Sequence, residues 1–166
     1  MTTTIKFAKV NPNAIIPSKI EENIGLDFYA CFDAPFMVIN PNETKMIDTG
    51  IAFACDKNYG LILKERSSTG LRGMSLRSGL IDSGFRESIR VLMTNINTKP
   101  LLIIKKEELE KSELSDADFI IYPYEKAICQ GAIIPVPEIQ VEELKYEDLL
   151  KIPSVRGTGM LGSSNK

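Results

Sequence analysis

The sequence predicts an all-β fold, a sandwich, jelly roll or barrel carrying one or two short helices. Its apolar runs are short, in the length range of strands rather than helices. Pro, Gly, Asn and Asp punctuate them. They recur at fairly regular spacing, the pattern of stacked or closed antiparallel sheets.

In chain order, the run 5–10 ends at Asn11-Pro12, where proline removes a backbone donor. Residues 26–30 follow Gly25, and 36–39 lie between Pro35 and Asn40-Pro41. A longer run, 45–53, reads as one strand. The run 60–64 opens on Gly60, 90–95 ends at Asn95, and 101–104 follows Pro100. The last two, 119–122 and 132–135, are bounded by Asp118 and Pro123 and by Gly131 and Pro135. Strong helix formers fill 105–114 (KKEELEKSEL), which Leu109 and Leu114 would anchor. Residues 67–76 accommodate a short helix opened by Ser67 or Ser68 as its N-cap. Residues 141–150 alternate charge with Leu144, Leu149 and Leu150, and fit either a turn of helix or a strand.

With 166 residues the chain is one domain that buries about two-thirds of its unfolded surface, and it folds without disulfides or metal. The expected organisation is a domain over 1–153 and a mobile Gly/Ser/Arg-rich tail over 154–166. Residues 101–124 read as an insertion between two better-defined strands.

Composition excludes several chemistries. A net charge of −2 argues against a broad footprint for duplex nucleic acid. Histidine is absent, which removes Ser-His-Asp and Cys-His catalysis, His-ligated zinc and imidazole bases together. Cys31, Cys55 and Cys129 are far apart and include no C-x-x-C pair, so they read as small buried hydrophobes of a reducing compartment. Residues 1–10 contain no apolar signal-peptide region, and no apolar run approaches the roughly 18 residues of a membrane span. The expected location is the cytoplasm, that of the host if the source is a phage or virus.

Four polar segments sit beside strand ends. Residues 24–30 (IGLDFYA) set Asp27 inside an apolar stretch, either as a functional carboxylate or as a turn Asp opening a strand. Residues 65–70 (ERSSTG) combine a cation, hydroxyls and a glycine, which suits an anion site or a capped turn. Residues 78–86 (SGLIDSGFR) read as a hairpin whose glycines allow a flat ligand to approach the backbone, with Asp82 at its tip. An ordinary Asp-Ser-Gly turn is the plainer alternative. Residues 156–164 (RGTGMLGSS) hold the groups that wrap phosphates, or form a disordered tail.

Jointly and in this order, with a fourth segment at 127–130 (AICQ), these segments resemble the five-motif pattern of the trimeric dUTPases, the dUTP diphosphatases. The resemblance runs from about residue 5 to the C-terminus. It implies a distorted jelly roll of the dUTPase type and Mg²⁺-dependent hydrolysis of dUTP to dUMP and pyrophosphate. It further implies a homotrimer with shared sites, while 101–124 is either an elaborated surface loop or, as in some phage-type relatives, a segment that engages a protein partner. Charge and apolar-run length argue against stable nucleic-acid binding and membrane association.

Residue by residue, the resemblance assigns Asp82 to deprotonate the water that attacks the α-phosphorus, and Gln130 to help hold that water. Arg66, Ser67 and Ser68, with Gly70, would line the phosphate chain. Asp27 would reach a hydrated Mg²⁺ through water, which suits a cation that keeps its waters. The backbone from Gly79 through Leu80 and Ile81 to Asp82 would read the uracil edge, and Phe85 would pack on the deoxyribose. Arg156, Leu161, Gly162, Ser163 and Ser164 of a neighbouring subunit would close over the triphosphate.

The sequence departs from the pattern in several places. Phe85 stands where Tyr is usual, and Glu87 where Gly is common. Ala127 replaces a basic residue, Gly131 an apolar one, and Leu161 the Phe that stacks on uracil. Losing that stack costs about 1–3 kcal/mol, which predicts weaker lid closure and a raised KM. These substitutions motivate an alternative, a nucleotide-binding regulatory protein of weak activity acting through a partner. The related dCTP deaminases are disfavoured, because Glu87 falls within the hairpin rather than further along the next strand.

Overall fold

The computed structural model describes residues 4–159. Its strands, in chain order, are β1 (Lys6–Lys9), β2 (Leu26–Phe28), β3 (Phe36–Ile39), β4 (Thr44–Asp48), β5 (Ile51–Ala54), β6 (Tyr59–Lys64), β7 (Met74–Leu76), β8 (Leu80–Ile81), β9 (Arg90–Asn95), β10 (Leu101–Ile104), β11 (Ile120–Pro123) and β12 (Cys129–Pro135). The helices are α1 (Ser67–Leu71), α2 (Lys106–Glu110) and α3 (Tyr146–Leu149). The strands build four small sheets, β1-β5, β4-β9-β7, β11-β10-β3 and β2-β12-β6-β8. The chain is mostly β, a distorted jelly roll, as its sequence predicts.

Period-2 patterning explains most of the packing. In β6, Leu61 and Leu63 point into the core while Ile62 and Lys64 alternate with them. In β9, Val91 and Met93 do the same. All four sheets feed one cluster. It includes Phe53 of β5, Ile47 of β4, Met74 of β7, Ile39 and Ile103 of the β3-β10 pair, and Phe28 and Cys129 of the β2-β12 pair. Each such fully buried side chain stabilises the fold by about 1.5–3 kcal/mol.

The run 45–53 is two strands rather than one. Gly50, at φ 64, turns the chain between them. The Asp48 carboxylate accepts the Gly50 N–H at 2.7 Å, and the buried Thr49 hydroxyl donates to the Ile89 carbonyl at 2.7 Å. β4 then pairs with β9 while β5 pairs with β1, so the chain changes sheets at this turn. Two strands, β7 and β8, lie where the sequence predicts helix and hairpin.

Residues 101–124 are not a peripheral insertion as a whole. All four residues of β10 are buried, and β10 pairs antiparallel with β3 and parallel with β11. A parallel pair requires a crossover of about a dozen residues or more. Residues 105–119, with α2, make that crossover, and only they leave the sheets.

A second compact unit begins at Pro137, earlier than the boundary expected at 154. Within it, α3 resolves the ambiguity of 141–150 as one turn of helix, and Lys151 Nζ lies 2.6 Å from Asp148 Oδ1. This third helix exceeds the one or two expected. Among the described residues, no helix is long and apolar enough to cross a membrane.

Candidate active site

Three adjacent strands align the polar groups of the site. In the β2-β12-β6 register, Asp27 lies opposite Gln130, and Gln130 lies opposite Lys64. Directly opposed residues project from the same face of a sheet. The sequence interrupts otherwise apolar strands at these positions, so the sheet carries a polar row at one end of an apolar wall.

Beyond β6 the chain turns into α1. Arg66 is its N-cap, not Ser67 or Ser68 as predicted. The fully buried Thr69 fixes this turn. Its hydroxyl accepts the Arg66 N–H and donates to the Arg66 carbonyl, both at 2.9 Å. Ser67 and Ser68 are thereby left exposed in the first turn. Arg66 Nε reaches Asp27 Oδ1 at 3.1 Å, which ties α1 to β2.

Glu65 faces away from this pair. Its Oε1 accepts the Leu76 N–H at 2.8 Å, and its carbonyl accepts Gln130 Nε2 at 2.9 Å. Burial pushes the Glu65 carboxyl up, but the Leu76 N–H and the Lys64 ammonium outweigh it, and the group sits below its ordinary value.

Two clefts flank the Asp27–Arg66 pair. One, of about 530 Å³, is lined by Gly25, Asp27, Lys64, Arg66 and Gln130 together with 22–24 and Ala132. The other, of about 380 Å³, is lined by Asp27, Tyr29, Arg66, Ser68, Arg72, Tyr122, Glu125, Lys126 and Ala127. It gathers three cations against two carboxylates, a balance that favours an anion. Tyr29, Arg72 and Lys126 are site residues the sequence reading missed. Only Tyr29 carried a signal, since it sits two residues from Asp27.

Two departures from the motif pattern acquire physical reasons. A β-carbon at Gly131 would lie 2.6 Å from Phe28 Cε2 and 2.7 Å from Leu61 Cδ1, so the core excludes a side chain there. Ala127 is buried, and its carbonyl accepts the Tyr122 hydroxyl at 2.6 Å. The cation absent from position 127 has a neighbour in Lys126, which lines the same cleft.

The hairpin segment stands apart. β8 is the edge of its sheet, with Leu80 opposite Ile62 and Ile81 opposite Leu61. A β-carbon at Gly79 would meet the Leu63 carbonyl oxygen at 2.5 Å, and the Gly79 carbonyl accepts the Leu63 N–H at 2.7 Å. Asp82 is exposed and opens a turn in which its carbonyl accepts the Phe85 N–H at 3.0 Å. Arg86 donates to the Ser83 and Phe85 carbonyls at 2.6 and 2.9 Å.

Ile81 pairs with Leu61 and Gln130 with Lys64, three residues apart on β6, or about 10 Å along the strand. Asp82 lies one residue further away. A single chain therefore does not bring Asp82 to Gln130, Arg66 or Ser68, and Asp82 lines neither cleft. One chain alone cannot make the shared water site that the motif pattern assigns to these residues. Arg156 lies in the second unit, where its Nε donates to the Gly159 carbonyl at 3.2 Å. Leu161, Gly162, Ser163 and Ser164 lie outside the described residues.

Residues 11–109 match the family model for dUTPase, which spans the first three motifs. The deoxyuridine 5'-triphosphate nucleotidohydrolase of Nautilia profundicola is 31% identical over 166 residues, covering 98% of this chain and 99% of its own. The Helicobacter pylori protein of that name is 32% identical over 164 residues, covering 96% and 95%. In fold, the chain resembles the Staphylococcus bacteriophage 80alpha dUTPase solved with dUpNHpp, at a TM-score of 0.76, 20% identity, and coverage of 99% and 100%. The chain belongs to the dUTPase family, and with it to the dUTP diphosphatases.

Proposed function

We propose that the protein hydrolyses dUTP to dUMP and pyrophosphate by attack of water on the α-phosphorus, in sites shared between the copies of a homotrimer. The observation that carries this reading is the separation of Asp82 from the Asp27–Gln130–Lys64 row within one chain. A hairpin bearing the base and a cleft bearing the phosphate ligands become one site when a second copy brings its hairpin to this copy's cleft.

In that site the exposed edge of β8 reads uracil. One side of Leu80 and Ile81 pairs with β6, which leaves the other side for the donor and acceptor groups of a planar base. Phe85 packs on the deoxyribose. Asp82 accepts the proton of the attacking water, a general-base contribution of about 10²–10⁴ in rate. Gln130 holds the same water from the cleft side, and Arg66, Ser67 and Ser68 grip the phosphates. Arg156, Leu161, Gly162, Ser163 and Ser164 close over the triphosphate.

Among the described residues, no three His, Cys, Asp or Glu side chains gather as a metal cage. Asp27, which lines the cleft, would reach a Mg²⁺ carried on the triphosphate through the ion's retained waters. The ion would supply neutralisation of phosphate charge.

The test offers the protein dUTP, dCTP, dTTP and UTP with Mg²⁺, and follows pyrophosphate and ammonia. Pyrophosphate from dUTP alone supports the reading. Ammonia from dCTP, or no turnover, overturns it. Sharing is tested by mixing unfolded Asp82→Asn and Gln130→Ala proteins and refolding them together. Random assembly of sites that take Asp82 and Gln130 from different copies restores up to about a quarter of the wild-type rate. Sites built within one chain would restore none.

A further inference from the structure

Gln130 is held by an unusual pair of neighbours. Its Nε2 donates to the Glu65 carbonyl at 2.9 Å. A carbonyl oxygen only accepts, so the amide nitrogen must face Glu65 and Oε1 must face the other way. Oε1 then lies over Gly25, where a β-carbon would stand 2.7 Å from it and 3.1 Å from Gln130 Cβ. The Gly25 backbone is not in the left-handed region, so the conformation there admits any residue. What the position requires is the empty space.

We propose that Gly25 and the Glu65 carbonyl are positioning groups that fix the polarity of the Gln130 amide, so that Oε1 is the acceptor presented to the cleft. Glu65 can serve in this way because its own side chain is anchored on the Leu76 N–H, which holds its backbone still. The inference rests on the reading that Gln130 holds the attacking water. Such a water gives one hydrogen to Asp82 and the other to Gln130 Oε1, leaving a lone pair for phosphorus. An amide turned the other way would offer N–H groups to that water and occupy the lone pair instead.

The experiment compares wild type with Gly25→Ala, Gln130→Ala, Gln130→Glu and the Gly25→Ala/Gln130→Ala double variant, each checked for folding by thermal melting. The first readout needs no substrate. The side-chain amide NMR signal of Gln130, assigned by its loss in Gln130→Ala, should move in Gly25→Ala to the position of a free, solvated glutamine. An unmoved signal overturns the proposal. The second readout is kcat on dUTP. Misplacing a catalytic group by about 1 Å costs on the order of 10²-fold, and Gly25→Ala should lose about that in kcat with KM little changed. In the Gln130→Ala background the same substitution should cost nothing further, whereas losses that multiply would overturn the proposal.

Gln130→Glu requires no room at position 25. Its carboxylate cannot donate to the Glu65 carbonyl, so it should lose kcat as fully as Gln130→Ala, and a wild-type rate would overturn the proposal. If Gln130→Ala keeps the wild-type rate while the amide signal still moves in Gly25→Ala, the water-holding reading fails and the positioning stands.

Discussion

Asp27 and Gln130 face each other across two antiparallel strands, and Arg66 clasps the former at 3.1 Å while the backbone before Arg66 holds the latter. The segment 65–66 thus fixes both members of the pair. The site and the turn into α1 are one mechanical unit.

Arg66→Ala separates function from stability. The Asp27–Arg66 pair is about a third exposed on each side, so the ion pair contributes only about 0–1 kcal/mol to folding. A charge-assisted contact to phosphate is worth about 1.5–3 kcal/mol. The variant should therefore melt within a few degrees of wild type and lose about 10–10²-fold in kcat/KM for dUTP.

Thr69→Val keeps the shape of the side chain and removes the hydroxyl that closes the Arg66 turn. The Arg66 N–H is left without that partner. A loss of about 1–3 kcal/mol in urea-induced unfolding is expected, with a rise in KM as Ser67 and Ser68 lose their fixed turn.

Gly131→Ala pushes a methyl group into Phe28 and Leu61. Overpacking of this kind costs about 1–3 kcal/mol, read as a lowered Tm. A companion Phe28→Leu substitution, which withdraws the ring edge, should recover part of the loss.

Burial pushes the Cys129 thiol up to about 12 from 9.0. Between those values the unfolded chain sheds a proton that the folded chain keeps, so alkali favours unfolding. This contribution to stability is intact below pH 9.0 and is lost as pH rises toward about 12. Denaturant melts across this range should show a shallower alkaline decline for Cys129→Ala. In the native protein at neutral pH, Cys129 should resist thiol reagents.

Replacing 105–119 by a tight turn should abolish folding. β10 and β11 run parallel, and a short connection cannot join the end of one to the start of the other. Circular dichroism and solubility would show the collapse, whereas polar substitutions within α2 should be tolerated.

The strand content was legible because alternating burial leaves its mark on each run, as at Leu61 and Leu63. The break at Gly50 was not. Only the short polar step Asp48-Thr49-Gly50 interrupts the run, and the left-handed turn at Gly50 together with the change of partner from β9 to β1 divides it. The runs 101–104 and 119–122 read as strands and yet as parts of an insertion, because the fully buried β10 lacks the alternation that ties a strand to a sheet face. Asp27 and Arg66 stand in polar segments beside strand ends, Gln130 is singled out only by the resemblance to the dUTPases, and the fold gathers all three at one cleft. Gly25 and Glu65 lie within the segments 24–30 and 65–70, but their contacts with Gln130 run between strands, which linear spacing does not encode. The distance between Asp82 and Gln130 likewise follows from which strands β6 joins, not from any local pattern.

β8 is only two residues long, and it ends its sheet. An open border of that size is too brief for a foreign polypeptide to zip onto, which spares the protein the self-association that longer free borders invite. It still leaves a few backbone hydrogen-bonding atoms free, the ones that the proposed reading of uracil would use. Extending this border by even two paired residues would trade that short ledge for a template on which other chains could grow.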